Sequence, residues 1–282
     1  MKVLDKISVL NKTLQKHRDR KESLGFVPTM GALHKGHMSL FEQASRENDV
    51  VIGSIFVNPI QFNNEEDLAK YPRTLSEDIR KLEQQGCDYV FTPSVEEIYP
   101  EPVNEKFDFG KLENVMEGKF RPGHFNGVAV VVRRLLEIVQ PHKAYFGKKD
   151  YQQLQIVRKL VDMTNLDIAI VPVPISREPD GLALSSRNLR LKPEEREVAP
   201  AIYRIMREAK SNLQQFDTPK QMKDWGLKQL NQYDVLEPEY FEIVDMDTLE
   251  PIKQWSDTSR CILCVAVYAG KIRLIDNITL FF

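Results

Sequence analysis

Short apolar runs alternate with amphipathic helical patterns through the first two-thirds of the chain, and this alternation narrows the possible folds more than any other feature. The runs at 24–27, 50–57, 89–92, 143–146 and 168–173 read as strands. Between them, 38–47, 75–85, 128–139 and 151–163 read as helices. In the last of these, Leu154, Val157, Leu160 and Val161 recur at the spacing of one buried helical stripe. Strand–helix–strand repetition at this pitch predicts an α/β fold, with a parallel sheet covered on both faces. Ligands of such sheets sit beyond the C-terminal ends of the strands.

The pattern changes after Pro174. Residues 175–188 (ISREPDGLALSSRN) are polar, rich in turn formers and loop-like. Charged helical stretches follow, from 193 to about 215 and from about 219 to 233. Residues 240–244, 261–268 and 272–275 alternate as strands do, with Gly270-Lys271 as a hairpin turn. These patterns predict a sheet domain over 1–175 and a smaller α+β domain over 176–282.

Of the 282 residues, 42% are hydrophobic and 28% charged, as in an ordinary globular protein. A net charge of -2 argues against a nucleic-acid partner. The opening MKVLDKISVLNK interrupts its apolar residues with charges, unlike a secretory signal, and no run approaches the ~20 residues that span a bilayer. Three cysteines are too few for a disulfide framework. Together these features predict a cytoplasmic protein with no membrane partner.

Chemistry concentrates where strands end. In PTMGALHKGHMSL, an apolar run stops at Pro28, a loop carries Gly31, and His34-x-Gly36-His37 opens a helical pattern. Helix N-termini attract anions, because their first N–H groups lack partners and the dipole is positive there. Two imidazoles beside such an end point to a polyphosphate. No third ligand is near, so no protein-held metal site is expected. Asn58-Pro59-Ile60-Gln61 follows the second run, where the amides suit either a hydroxy acid or simple turn chemistry. Gly147-Lys148-Lys149-Asp150 repeats the strand–loop–helix arrangement. There a lysine suits phosphate, and Asp150 suits a helix cap or ribose hydroxyls. Ser185-Ser186-Arg187 reads either as an exposed linker or as a cationic loop for a leaving pyrophosphate. RPGHFNG, with His124, is either a turn before a buried helix or a polar wall of the site. Cys261-x-x-Cys264 sits in an alternating apolar run and reads as core packing.

PTMGALHKGH, VNPIQF, RPGHFNGV, FGKKDYQQ and DGLALSSRN occur in this order, and together they resemble the pantoate–β-alanine ligase family. The His-x-Gly-His element alone would indicate only the wider nucleotidyltransferase superfamily. The resemblance implies a Rossmann-like ATP- and pantoate-binding domain with a C-terminal lid, a homodimer, and Mg²⁺ accompanying ATP. It implies that pantoate attacks ATP to give pantoyl adenylate and pyrophosphate, and that β-alanine then displaces AMP to give pantothenate. It also implies site residues. ATP would meet Met30, Gly31, Ala32, Leu33, His34, Lys35, Gly36 and His37, then Gly147, Lys148, Lys149 and Asp150, and finally Ser176, Leu184, Ser185, Ser186 and Arg187. Pantoate and β-alanine would meet Asn58, Gln61 and Gln153. The catalytic groups would be His37, His34, Lys149 and Arg187. Lys148 departs from the acidic or polar residue usual before Lys149, and the register favours Lys149 as the phosphate ligand.

Overall fold

Backbone pairing joins six strands of the N-terminal region into one sheet. The computed structural model describes residues 1–62, 68–69 and 71–280. Strands β1 (Lys2–Leu4), β2 (Leu24–Thr29), β3 (Val50–Ile55), β4 (Tyr89–Phe91), β5 (Lys143–Gly147) and β6 (Ala169–Val173) run in the order β1-β4-β3-β2-β5-β6. Every neighbouring pair is parallel. Helices described in this stretch include α1 (Ile7–Asp19), α2 (Lys35–Glu47), α3 (Leu75–Gln84), α4 (Val95–Ile98), α5 (Met116–Phe120), α6 (His124–Val139) and α7 (Tyr151–Thr164). The parallel sheet expected from the alternating sequence is present, and the five strands and four helices read there fall within these bounds or within three residues of them. Missing from that reading were β1, a three-residue edge strand, and α1, whose Leu10 and Leu14 are fully buried.

Strand order reverses between β2 and β5, so the crevice at their C-terminal ends is a topological switch point. Pairing between these two strands occurs at Gly25↔Lys143 and Phe26↔Ala144, short of both C-terminal ends. Pro28 explains why. The carbonyls of Ser23 and Thr29 accept from Val50 and Phe56 on the β3 side, and that of Leu24 accepts from His142 on the β5 side. Alternate residues Leu24, Phe26 and Pro28 therefore face β5, and Pro28 has no N–H to offer. β2 itself continues through Pro28 to Thr29, beyond the stop expected from the sequence, because its β3-facing bonds are intact.

The chain divides into two compact units. The first comprises Met1–Phe109, Gly118–Lys148 and Gln153–Pro174; the second comprises Gly110–Glu117, Lys149–Gln152 and Ile175–Phe282. In the second, β7 (Leu236–Asp245), β8 (Cys261–Ala269) and β9 (Ile272–Leu280) form an antiparallel sheet. Helices α8 (Pro193–Val198), α9 (Ala201–Ser211) and α10 (Pro219–Leu230) accompany it, and Ile202, Ile205, Met206, Phe241, Leu263 and Val265 belong to its core. The single helix expected from 193 is interrupted at Pro200, which cannot donate to the preceding turn.

Polar ties account for the second unit's short early segments. Gln152 is buried; it accepts from the Glu117 N–H at 3.0 Å and donates to Leu112 O at 2.8 Å and Val115 O at 2.9 Å. The Glu117 carboxylate takes both terminal nitrogens of Arg273, at 2.8 and 2.7 Å, and the Tyr240 hydroxyl at 2.7 Å. A buried charge surrounded by donors on this scale costs little to keep and much to disrupt. Cys87, Cys261 and Cys264 are free and buried. Burial pushes the Cys87 thiol up to about 12 and that of Cys261 up to about 11.

Gly127 shows how tightly α6 is seated. A Cβ there would stand 2.6 Å from Gln61 Cα and 2.7 Å from Ile60 O, both backbone atoms. Gly127→Ala is expected to destabilise the protein by ~1–3 kcal/mol and to lower its melting temperature by several degrees, measured by circular dichroism. An unchanged melting curve would mean that the turn Pro59–Gln61 shifts away at no cost.

Candidate active site

The loop leaving β2 is bent by its own backbone and fastened by α3. Gly31 and Ala32 both have positive φ, +82° and 50°. A side chain at Gly31 would be strained whatever the space, and its Cβ would also crowd Asp78 Oδ2 and Ile55 Cγ2, both at 3.1 Å. Asp78 is fully buried in the first turn of α3. Its carboxylate accepts from the N–H groups of Ala32 at 2.9 Å and Leu33 at 2.8 Å, and from Thr74 Oγ1 at 3.1 Å. Three residues on, Lys81 Nζ donates to Leu33 O at 2.7 Å. Thr29 Oγ1 donates to Ser54 O at 2.7 Å and accepts from the Gly31 N–H at 3.2 Å.

The two histidines cap α2 reciprocally. His34 is the N-cap residue, and its Nδ1 accepts from the Gly36 N–H at 3.1 Å; Nδ1 of His37 accepts from the His34 N–H at 3.3 Å. The ring centres lie 4.1 Å apart. A nitrogen that accepts from an N–H carries no proton, so each neutral ring holds its proton on Nε2. Both rings thus carry an Nε2–H at the helix end where the dipole already favours negative charge. The cap also explains why α2 starts at Lys35 rather than at 38: the histidines satisfy its first-turn donors.

Asn58 and Gln61 are both buried. Asn58 Nδ2 donates to Gly127 O at 3.0 Å and to Gln61 Oε1 at 3.3 Å, while its Oδ1 accepts from the Tyr99 hydroxyl at 3.0 Å. The Asn58 amide is therefore engaged with protein partners. Gln61 Nε2 lies 2.9 Å from Met30 Sδ, which joins this turn to the histidine loop. His124, read from the sequence as turn or wall, is buried and donates from Nδ1 to Gln61 O at 2.9 Å. It positions Gln61. Gln153 is half-buried in the first turn of α7. Among the described residues, none beyond its own chain neighbours has an atom within 4 Å of where a Cβ would stand on Gly147, at the end of β5.

In the second unit, Lys149 is half-buried, as is Arg187, whereas Asp150 is exposed; Lys148, the last residue of the first unit's central segment, is also exposed. Residues 175–188 are more ordered than the loop expected. Arg177 bridges Ala183, the Leu184 N–H donates to Ser176 O at 3.0 Å, and the Glu178 N–H donates to Leu182 O at 2.8 Å, closing a small hairpin. Ser185 caps the 3₁₀ turn Ser186–Arg190 by accepting the Arg187 N–H at 3.2 Å. The Lys149 and Arg187 side chains have no carboxylate at ion-pair distance among the described residues. Asp276 is the acid whose charge senses Lys149: burial pushes its carboxyl up, while Arg177 and, more weakly, Lys149 pull it down. Asp78, Lys81 and Asp276 escaped the sequence reading, and no motif marks them. No helix among the described residues is long and apolar enough to cross a membrane, and none of their His, Cys, Asp and Glu side chains group to hold a metal ion.

A family model described as pantoate-beta-alanine ligase matches residues 2–279. A protein of Porphyromonas gingivalis named pantothenate synthetase is 49% identical over 278 residues, covering 99% of each chain. A Bacteroides fragilis protein of the same name is 48% identical over 278 residues, covering 99% of this chain and 98% of its own. The crystal structure of pantothenate synthetase from Thermus thermophilus superposes with a TM-score of 0.91 at 42% identity, over 99% of each chain. Pantoate-beta-alanine ligase from Francisella tularensis, complexed with beta-gamma ATP and beta-alanine, superposes with a TM-score of 0.79 at 37% identity, over 99% of this chain and 97% of that one. With likeness running from end to end, over a sheet whose switch point carries a histidine-capped helix, the chain belongs to the pantoate–β-alanine ligase family.

Proposed function

We propose that the protein condenses pantoate with β-alanine at the expense of ATP, through an enzyme-bound pantoyl adenylate, and that it works as a homodimer. One observation carries the reading: both imidazoles keep Nδ1 engaged in the α2 cap and so hold Nε2–H donors where phosphate charge would gather. In the first step a pantoate carboxylate oxygen attacks the α-phosphorus, the bond from that phosphorus to the bridging oxygen breaks, and pyrophosphate leaves. No proton need be removed, so His34 and His37 act by stabilising charge rather than as bases. In the second step the β-alanine amine attacks the acyl carbon, the acyl–oxygen bond breaks, AMP leaves and the nitrogen gives up a proton.

Lys149 and Arg187, cations without a carboxylate partner among the described residues, are assigned to the triphosphate, and Asp150 to the ribose. Met30, Gly31, Ala32, Leu33, Lys35 and Gly36, with Gly147, Lys148, Ser176, Leu184, Ser185 and Ser186, are assigned to the remaining nucleotide contacts. Gln61 and Gln153 are assigned to pantoate, with Asn58 holding Gln61 in place. ATP enters as its Mg²⁺ complex. With no carboxylate cage among the described residues, phosphate oxygens and water suit that ion. The Francisella tularensis relative, solved with a nucleotide and β-alanine, supports the pairing of these substrates.

The protein is expected to catalyse pantoate-dependent exchange of labelled pyrophosphate into ATP without β-alanine; folded, Mg²⁺-supplied protein that shows no exchange would overturn the reading. His37→Ala should lower the exchange kcat by about 100-fold while the pantoate KM stays within about threefold. A near-normal rate would remove His37 from the chemistry. Asp78→Asn keeps the side chain's shape but faces an NH₂ toward the loop's own donors. It should reduce kcat by roughly 10- to 100-fold in protein that still folds, and an undiminished rate would show that the loop holds its geometry unaided.

A further inference from the structure

Lys149 and Arg187 lie on separate stretches of the second unit, and one dipeptide of β9 fastens both stretches. Asp276, 5% exposed, takes Arg177 in a two-pronged ion pair, Nη1 to Oδ2 at 2.6 Å and Nη2 to Oδ1 at 2.9 Å. Arg177 Nη1 also donates to Gly181 O at 3.1 Å, and the guanidinium lies 3.6 Å from the centre of the Tyr203 ring. Together these contacts anchor the hairpin that runs directly into Ser185-Ser186-Arg187. The next residue of β9, Asn277, donates from Nδ2 to Lys149 O at 2.9 Å. Its own N–H donates to Asp276 Oδ1 at 2.7 Å, so the two anchors share one carboxylate.

Both residues sit in register with β8, Asp276 opposite Val265 and Asn277 opposite Cys264. Exchanging a buried ion pair for apolar side chains often leaves stability unchanged. What apolar residues could not do is hold the Lys149 carbonyl and the Arg177 hairpin from adjacent positions.

We propose that Asp276 and Asn277 are positioning residues for adenylation: Asn277 fixes the backbone from which Lys149 projects, and Asp276, through Arg177, fixes the segment that carries Arg187. The proposal rests on the assignment of both cations to the triphosphate. The test is pantoate-dependent pyrophosphate exchange by the full-length protein, first as wild type, whose inactivity would sink the reaction itself rather than this refinement. Asn277→Leu, which keeps the bulk and removes the donor, is expected to raise the ATP KM about five- to tenfold, the range of one neutral hydrogen bond, with the pantoate KM within about twofold. On a Lys149→Ala background the same change should add nothing, because Asn277 acts through Lys149. Equal shifts in both KM values, additivity with Lys149→Ala, or an unchanged ATP KM in folded protein would each overturn the proposal. An unchanged ATP KM for Lys149→Ala alone would overturn it together with the phosphate assignment. If Asn277→Leu fails to fold, Asn277→Ser removes the reach to Lys149 without an apolar side chain and is judged on the same outcomes.

Discussion

A hydrogen-bond donor that Pro28 does not have opens the sheet at its switch point. Residues of β2 that face β5 form a ladder only as far as Phe26, and at Pro28 there is no N–H to extend it. In the direction of β3 the strand stays bonded to its end, so β2 remains anchored while its other flank is released. The loop to His34 leaves one side of that gap and Gly147 ends the other. A switch point exists wherever strand order reverses; here a single imino acid also unzips it.

The loop above the gap would not hold its shape alone. Two consecutive residues in left-handed conformations and two backbone N–H groups outside any ladder favour disorder, and a carboxylate from α3 answers both donors at once. Lys81 then takes the loop's carbonyl, so one helical turn grips the loop by groups of opposite sign. The histidines continue the same economy of structure. Each satisfies a backbone donor with Nδ1, so the ring that caps the helix carries its proton on the other nitrogen. Donors held this way need no reorganisation when negative charge develops beside them, which is the main source of electrostatic rate enhancement.

The sequence made the strand–helix alternation, the central strands, the loops at their ends and the separate antiparallel tail legible, because periodicity and turn residues record them locally. α1 also left a signal, with Ile7, Leu10 and Leu14 at helical spacing, but the charges between them hid it. β1 at three residues is too short to register. Asp78 was unreadable for a different reason. An acid in the first turn of a helix is ordinary dipole chemistry, and only the tertiary fold reveals that it is buried against a loop more than forty residues away. Asp276-Asn277 breaks the apolar alternation, so the strand read as finished at 275; pairing with β8 carries it to Leu280 because distant partners satisfy the polar pair. Asn58 was legible as a polar residue at a strand end, but the number of protein groups already bonded to its amide was not.

The three thiols matter for what they leave free. Each is enclosed, and burial holds Cys87 and Cys261 far from the thiolate form at neutral pH. Maleimide and similar electrophiles will therefore find little native sulfur to modify. A cysteine introduced at an exposed position becomes the dominant handle for a dye or spin label, and one placed in each compact unit gives a two-label ruler for their separation during turnover, with the native cysteines left in place.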